Sequence, residues 1–241
     1  MESSVVLGDF VINDMNIMGV DAVTDHDGVR FDGLVGLSVE AFDNSDLLVD
    51  KLFEAGHISS RVFSTYFTTD PSDNHIFFGG FSEEHATTDF SYIGLDFRLD
   101  SHWTLTASEV KYKGTLLSDS MSVGILDTGT SLMYFPNAVY FDWANEVIKG
   151  NSNCEYDSNN YLICRDCDDE YVFDDIEIKL GDYWTKVDPY NYVAIVNDGL
   201  FSQACVALVQ GLDESILGTG AMLLGDTFLR NYYVMHDIDN K

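Results

Sequence analysis

Ile125-Leu126-Asp127-Thr128-Gly129-Thr130-Ser131 is the run on which the reading of this 241-residue chain turns. Two apolar residues end a strand bound for the interior, and an acid follows at once in a turn made of Gly and hydroxyl side chains. Gly129 lets the backbone close tightly, so that amide hydrogens come within reach of the carboxylate. Thr128 and Thr130 supply short hydroxyl donors that fix its orientation. A carboxylate held in this way is suited to acid–base work on a water molecule. A bare Asp-Thr-Gly is accounted for by an ordinary strand turn with a capping acid, but the seven-residue run is far more specific. Asp127 is therefore the candidate catalytic group, with Thr128, Gly129, Thr130 and Ser131 as its support.

Working outward, Ala221-Met222-Leu223-Leu224-Gly225-Asp226-Thr227-Phe228 sets a short apolar strand before a Gly-Asp pair. Upstream, Arg30-Phe31-Asp32-Gly33-Leu34-Val35-Gly36-Leu37 again places an apolar pair before a glycine, a weak internal echo of a duplicated unit. Phe78-Gly79-Gly80 and His102-Trp103-Thr104-Leu105 lie between the two. In this order the segments resemble the pepsin-like aspartic proteases over essentially the whole chain.

The resemblance implies an all-β, bilobal fold with few short helices. Residues 1–90 would form a partial amino-terminal lobe, and residues 91–241 a carboxyl-terminal lobe that carries the catalytic loop. It implies that the 221–237 segment threads through that loop and supports Asp127 from behind. Thr128 would interlock two catalytic loops, and Thr130 would hold the outer oxygen of Asp127. The implied activity is aspartic-type endopeptidase hydrolysis of extended peptide or protein substrates by an activated water, with no metal or organic cofactor, in a monomeric full-length protein. Members of the family use a second aspartate from another Asp-Thr/Ser-Gly loop, and the 241 residues contain one such loop. The resemblance places the missing loop and a flap tyrosine ahead of residues 5–12, and a final strand after Lys241. The expectation is a fragment that is inactive by itself. A non-catalytic peptide-binding protein on the same fold is the competing reading.

Charge narrows the partners. With 12 basic and 41 acidic residues the formal net charge is −29, which repels nucleic acid and anionic membranes. No apolar run approaches the roughly 20 residues of a membrane span, while 46% hydrophobic content is ample for a core. Cys154, Cys164, Cys167 and Cys205 make an even set that permits two disulfides. A zinc site or a redox Cys-x-x-Cys fits their spacing and context less well. By resemblance Cys205 pairs with Cys164 or Cys167, and the other of these with Cys154. Disulfides and resemblance together point to a secreted or lysosomal/vacuolar compartment, although residues 1–7 do not read as a signal peptide.

Periodicity predicts strands over residues 5–12, 62–67, 75–78 and 176–180. A helix capped by Asp46 should run to Ala55 with Leu48, Leu52 and Ala55 inward. A second should start at Pro136 and run to Lys149 with Val139, Trp143 and Val147 inward. Residues 150–170, rich in Asn and Asp, read as a surface loop. Asp25-His26-Asp27-Gly28 fails the register of a calcium loop. Gly218-Thr219-Gly220 lacks the third glycine and flanking helix of a dinucleotide site.

Overall fold

A computed structural model of the chain describes residues 2–19, 32–41, 45–98, 101–165, 167, 172–197 and 203–241. Arg30, Phe31, the 25–28 motif and most of the 166–170 acidic cluster fall outside them.

The first predicted strand is instead a hairpin, β1 (Glu2–Leu7) and β2 (Phe10–Asn16). The chain reverses at Gly8, whose φ of 58° suits glycine and strains other residues. Helix α1 (Leu48–Glu54) has Leu47, not Asp46, as its N-cap. Asp46 is taken by a longer-range partner: its carboxylate accepts from the Asn16 amide at 2.6 Å and faces Lys51 at 3.6 Å. The inward face is Leu48, Val49 and Leu52, while Ala55 is exposed beyond the last helical residue. Strands β3 (Val62–Tyr66) and β4 (His75–Phe78) follow and pair antiparallel.

The second half of the chain builds the main sheet. Its early strands are β5 (Trp103–Tyr112), β6 (Thr115–Ser118), β7 (Val123–Leu126) and β8 (Met133–Pro136). Helix α2 (Asn137–Gly150) comes next, with Pro136 as its N-cap and not its first residue. It buries Val139, Tyr140, Trp143, Ala144 and Val147, the stripe expected from spacing plus two neighbours. The supposed surface loop contains a hairpin, β9 (Cys154–Tyr156) and β10 (Leu162–Arg165). Polar composition conceals it, since its inward residues are Cys154, Leu162 and Cys164.

Next come β11 (Ile176–Leu180), β12 (Tyr183–Val187), the short α3 (Pro189–Tyr192), β13 (Val193–Asn197) and β14 (Gln203–Ala207). The chain continues with β15 (Val209–Leu212), the single turn α4 (Glu214–Leu217) and β16 (Ala221–Leu224). It ends with the single turn α5 (Asp226–Leu229) and β17 (Val234–Asp237).

The main sheet runs β12-β11-β5-β7-β16-β8-β15, with β6 beside β5. A smaller sheet, β13-β14-β10-β9, is pinned by the disulfides Cys154–Cys164 and Cys167–Cys205. That pairing is one of the two that the resemblance implied, and no cysteine is free. The last strand, β17, returns to pair with β3, so the sheet β17-β3-β4 joins the two ends of the chain. Among the described residues no helix is long and apolar enough to cross a membrane.

Candidate active site

The topology of the main sheet dictates the site. Strands β7 and β8 are consecutive in sequence, yet β16 lies between them, parallel to β7 and antiparallel to β8. The loop that joins β7 to β8 must therefore arch over the point where β16 ends. That loop is residues 127–132, and the chain leaving β16 beneath it is Gly225-Asp226.

Backbone hydrogen bonds lock the two together. The Asp127 amide donates to Leu224 O at 3.2 Å, and the Asp226 amide donates to Thr130 O at 2.8 Å. Ser131 O accepts from the Thr227 amide at 3.3 Å and from Thr227 Oγ1 at 2.9 Å. Gly225 is required by closeness and not by its dihedral, since its backbone is extended. A Cβ there would lie 2.1 Å from Thr130 O and 2.4 Å from Leu132 O. The echoing Gly36 differs, because a Cβ there would meet open space.

The half-buried Asp127 carboxylate is held at both oxygens. The Gly129 amide donates to Oδ1 at 2.9 Å, and Thr130 Oγ1 donates to Oδ2 at 2.5 Å. Both donors lie within the same turn, so the carboxylate is oriented before any ligand arrives. Thr128 and Ser131 are exposed, and Ser131 contributes its carbonyl to the brace.

Asp226 was not among the sequence candidates, yet it bears on Asp127. Burial pushes its carboxyl pKa up, Arg230 opposes that, and the charge of Asp127 adds to the rise. The Gly-Asp pair is visible in sequence, but only the slotted strand brings its acid beside the loop. Because the folded state disfavours ionised Asp226, stability falls as pH rises from the ordinary value of 3.8 through the raised one. Asp226→Asn should therefore gain stability over the native chain as pH rises from 3 to 7, measured by urea unfolding. A gap that does not change with pH would contradict this.

A cavity of about 1060 Å³ reaches Leu126 but not Asp127, and its walls include Trp103, Trp184, Tyr233 and His236. It lies beside the brace and is not a cleft over the carboxylate.

The fold is that of the aspartic proteinase from Irpex lacteus, at a TM-score of 0.79 over 99% of this chain and 74% of that one, with 20% identity. The family described as eukaryotic aspartyl protease matches residues 1–241, and this chain belongs to it. It is 26% identical over 220 residues to pregnancy-associated glycoprotein 2 of Bos taurus, covering 89% of this chain and 54% of that protein. It is 27% identical over 215 residues to vacuolar protease A of Arthroderma otae (87% and 50%). Against cathepsin D of Homo sapiens the identity is 25% over 217 residues (88% and 50%). The chain thus spans about half the length of the curated relatives it matches.

Proposed function

We propose that Asp127 is one of two catalytic carboxylates of an aspartic-type endopeptidase, with Thr128, Gly129, Thr130 and Ser131 as its supporting loop. The observation that carries this reading is a carboxylate with both oxygens oriented by its own turn, over a backbone crossing that admits only glycine. Membership of the family supports it. On this reading the second carboxylate comes from another Asp-Thr/Ser-Gly loop, with which Thr128 would interlock. We further assign residues 1–90 to a partial amino-terminal lobe and residues 91–241 to the carboxyl-terminal lobe.

Two like carboxylates about 4 Å apart repel by roughly 4 kcal/mol at an effective dielectric near 20, which separates their titrations by about three units. Over the interval between them one is ionised and the other protonated. The ionised group takes a proton from water as the water attacks the scissile carbonyl, and the protonated group gives one to the carbonyl oxygen. No covalent intermediate is needed. Substrates would be extended peptides with bulky apolar side chains at the cleavage point. The two disulfides accord with a secreted or lysosomal/vacuolar setting.

Without a second catalytic carboxylate opposite Asp127, the purified chain should not cleave an unfolded protein substrate between pH 3 and 6. Cleavage by this chain that is lost in Asp127→Asn would overturn the two-carboxylate reading. The presence of a single Asp-Thr/Ser-Gly run also admits a peptide-binding protein on this fold. That reading gains if the chain joined to a partner loop still fails to turn over substrate.

A further inference from the structure

His236 lies on β17 opposite Phe63 of β3, and its imidazole stacks on the Phe63 ring at 4.4 Å with the planes 4° apart. Trp103 meets it nearly edge-on, with centroids 4.8 Å apart and planes at 72°. The residue is 3% exposed, and among the described residues Nδ1 has no hydrogen-bond partner. An orphaned buried polar atom is unusual in a folded protein, and a charge in its place is far more costly.

Among the described residues no neighbouring charge offsets that cost. On the same strand, Asp237 is occupied by the amides of Asp239 and Asn240 and by the Asn240 side chain. Arg61, just before β3, is held by Asp239 and by Asp50 of α1. Lys241 pairs with Glu40, and His102 beside Trp103 meets Ser101. Burial is the sole cause that pushes the His236 pKa from 6.5 down to about 3.

The ring sits at a seam. Phe63 and Trp103 share an apolar cluster with Val39, Val49 and Ile238, against which Leu37 and Leu126 pack. Trp103 is the register partner of Leu126, the residue before Asp127, and its Nε1 donates to Leu37 O at 2.6 Å. The cavity beside Leu126 also includes His236 in its wall.

We propose that His236 makes this seam acid-sensitive: a protonated imidazole is not tolerated between Phe63 and Trp103, so acid loosens the hold of β17-β3-β4 on the main sheet. The proposal concerns the seam and stands whether or not Asp127 is catalytic. Its sign follows from linkage. Once exposed, the imidazole takes up a proton near pH 6.5, and the buried one does so only near 3. The stability contributed by the neutral ring is complete above 6.5 and is lost as pH falls from 6.5 towards 3, by about tenfold in the folding equilibrium per unit. Protonation of carboxylates in a chain of net charge −29 relieves self-repulsion and runs the other way, so a matched variant is needed to isolate the histidine.

The test compares urea unfolding of the native chain and of His236→Phe, which keeps an aromatic ring to stack, at pH 7.5, 6 and 5. The ratio of their unfolding constants should rise about 30-fold from pH 7.5 to 5, and a ratio that stays flat overturns the proposal. A second measurement needs no variant. In a carbon-edited NMR titration of the six imidazoles, one should keep its neutral chemical shift for as long as the fold persists. If all six titrate near 6.5 with the fold intact, the proposal fails.

Discussion

Gly225→Ala is expected to cost on the order of 4 kcal/mol or more, enough to leave much of the chain unfolded at room temperature. The added methyl would sit 2.1 Å from Thr130 O and 2.4 Å from Leu132 O, well inside any real carbon–oxygen contact. Relief must come from backbone, because both obstacles are carbonyls. The first of them also accepts the Asp226 amide that ties β16 to the loop. Moving it breaks the brace and displaces Thr130, and with it the donor on Asp127 Oδ2. Gly36→Ala is the control. There the methyl meets open space, and the change should stay within about 1 kcal/mol of neutral. Urea unfolding followed by circular dichroism separates the two. Equal effects at both positions would show that the crossing is not tight.

Removing the Cys167–Cys205 bridge, as Cys167→Ser with Cys205→Ser, should cost about 4 kcal/mol on the chain-entropy account. The cross-link spans a sequence separation of 38, and both sulfurs are buried. It ties β14 to the segment after β10 within the four-stranded sheet β13-β14-β10-β9. The Cys154–Cys164 bridge spans a separation of only 10, so its loss should cost about 1 kcal/mol less. Equilibrium unfolding of the two double variants checks both the size and the order. A larger loss from the shorter bridge would contradict the account.

The legible parts of the fold were those whose cause is local. The apolar pair before Asp127, the strand before Gly225 and the stripe on α2 each carry their own periodicity. What escaped was set by partners distant in sequence. Asp46 resembles a helix cap until Asn16, 30 residues away, offers its amide. Residues 5–12 read as one apolar run, yet the Gly8-Asp9 pair within it is the turn at which the chain reverses. The β9–β10 hairpin is masked by Asn and Asp because disulfides and pairing with β14 hold it, not hydrophobic alternation. At the site, the Asp127 turn could be read from seven residues. The place of Asp226 needed the insertion of β16 between β7 and β8, which no local pattern records. The burial of His236 emerges only from two rings distant in sequence, Phe63 of β3 stacked on it and Trp103 of β5 edge-on to it.

The account rests on Asp127 being half of a pair. The most direct measurement joins the chain, at its amino terminus, to sequence that supplies a second Asp-Thr/Ser-Gly loop, and follows turnover of an unfolded protein between pH 3 and 6. The account predicts turnover by the joined protein and its loss by at least about 10³-fold in Asp127→Asn, with the folded structure retained. Turnover that survives Asp127→Asn would contradict it.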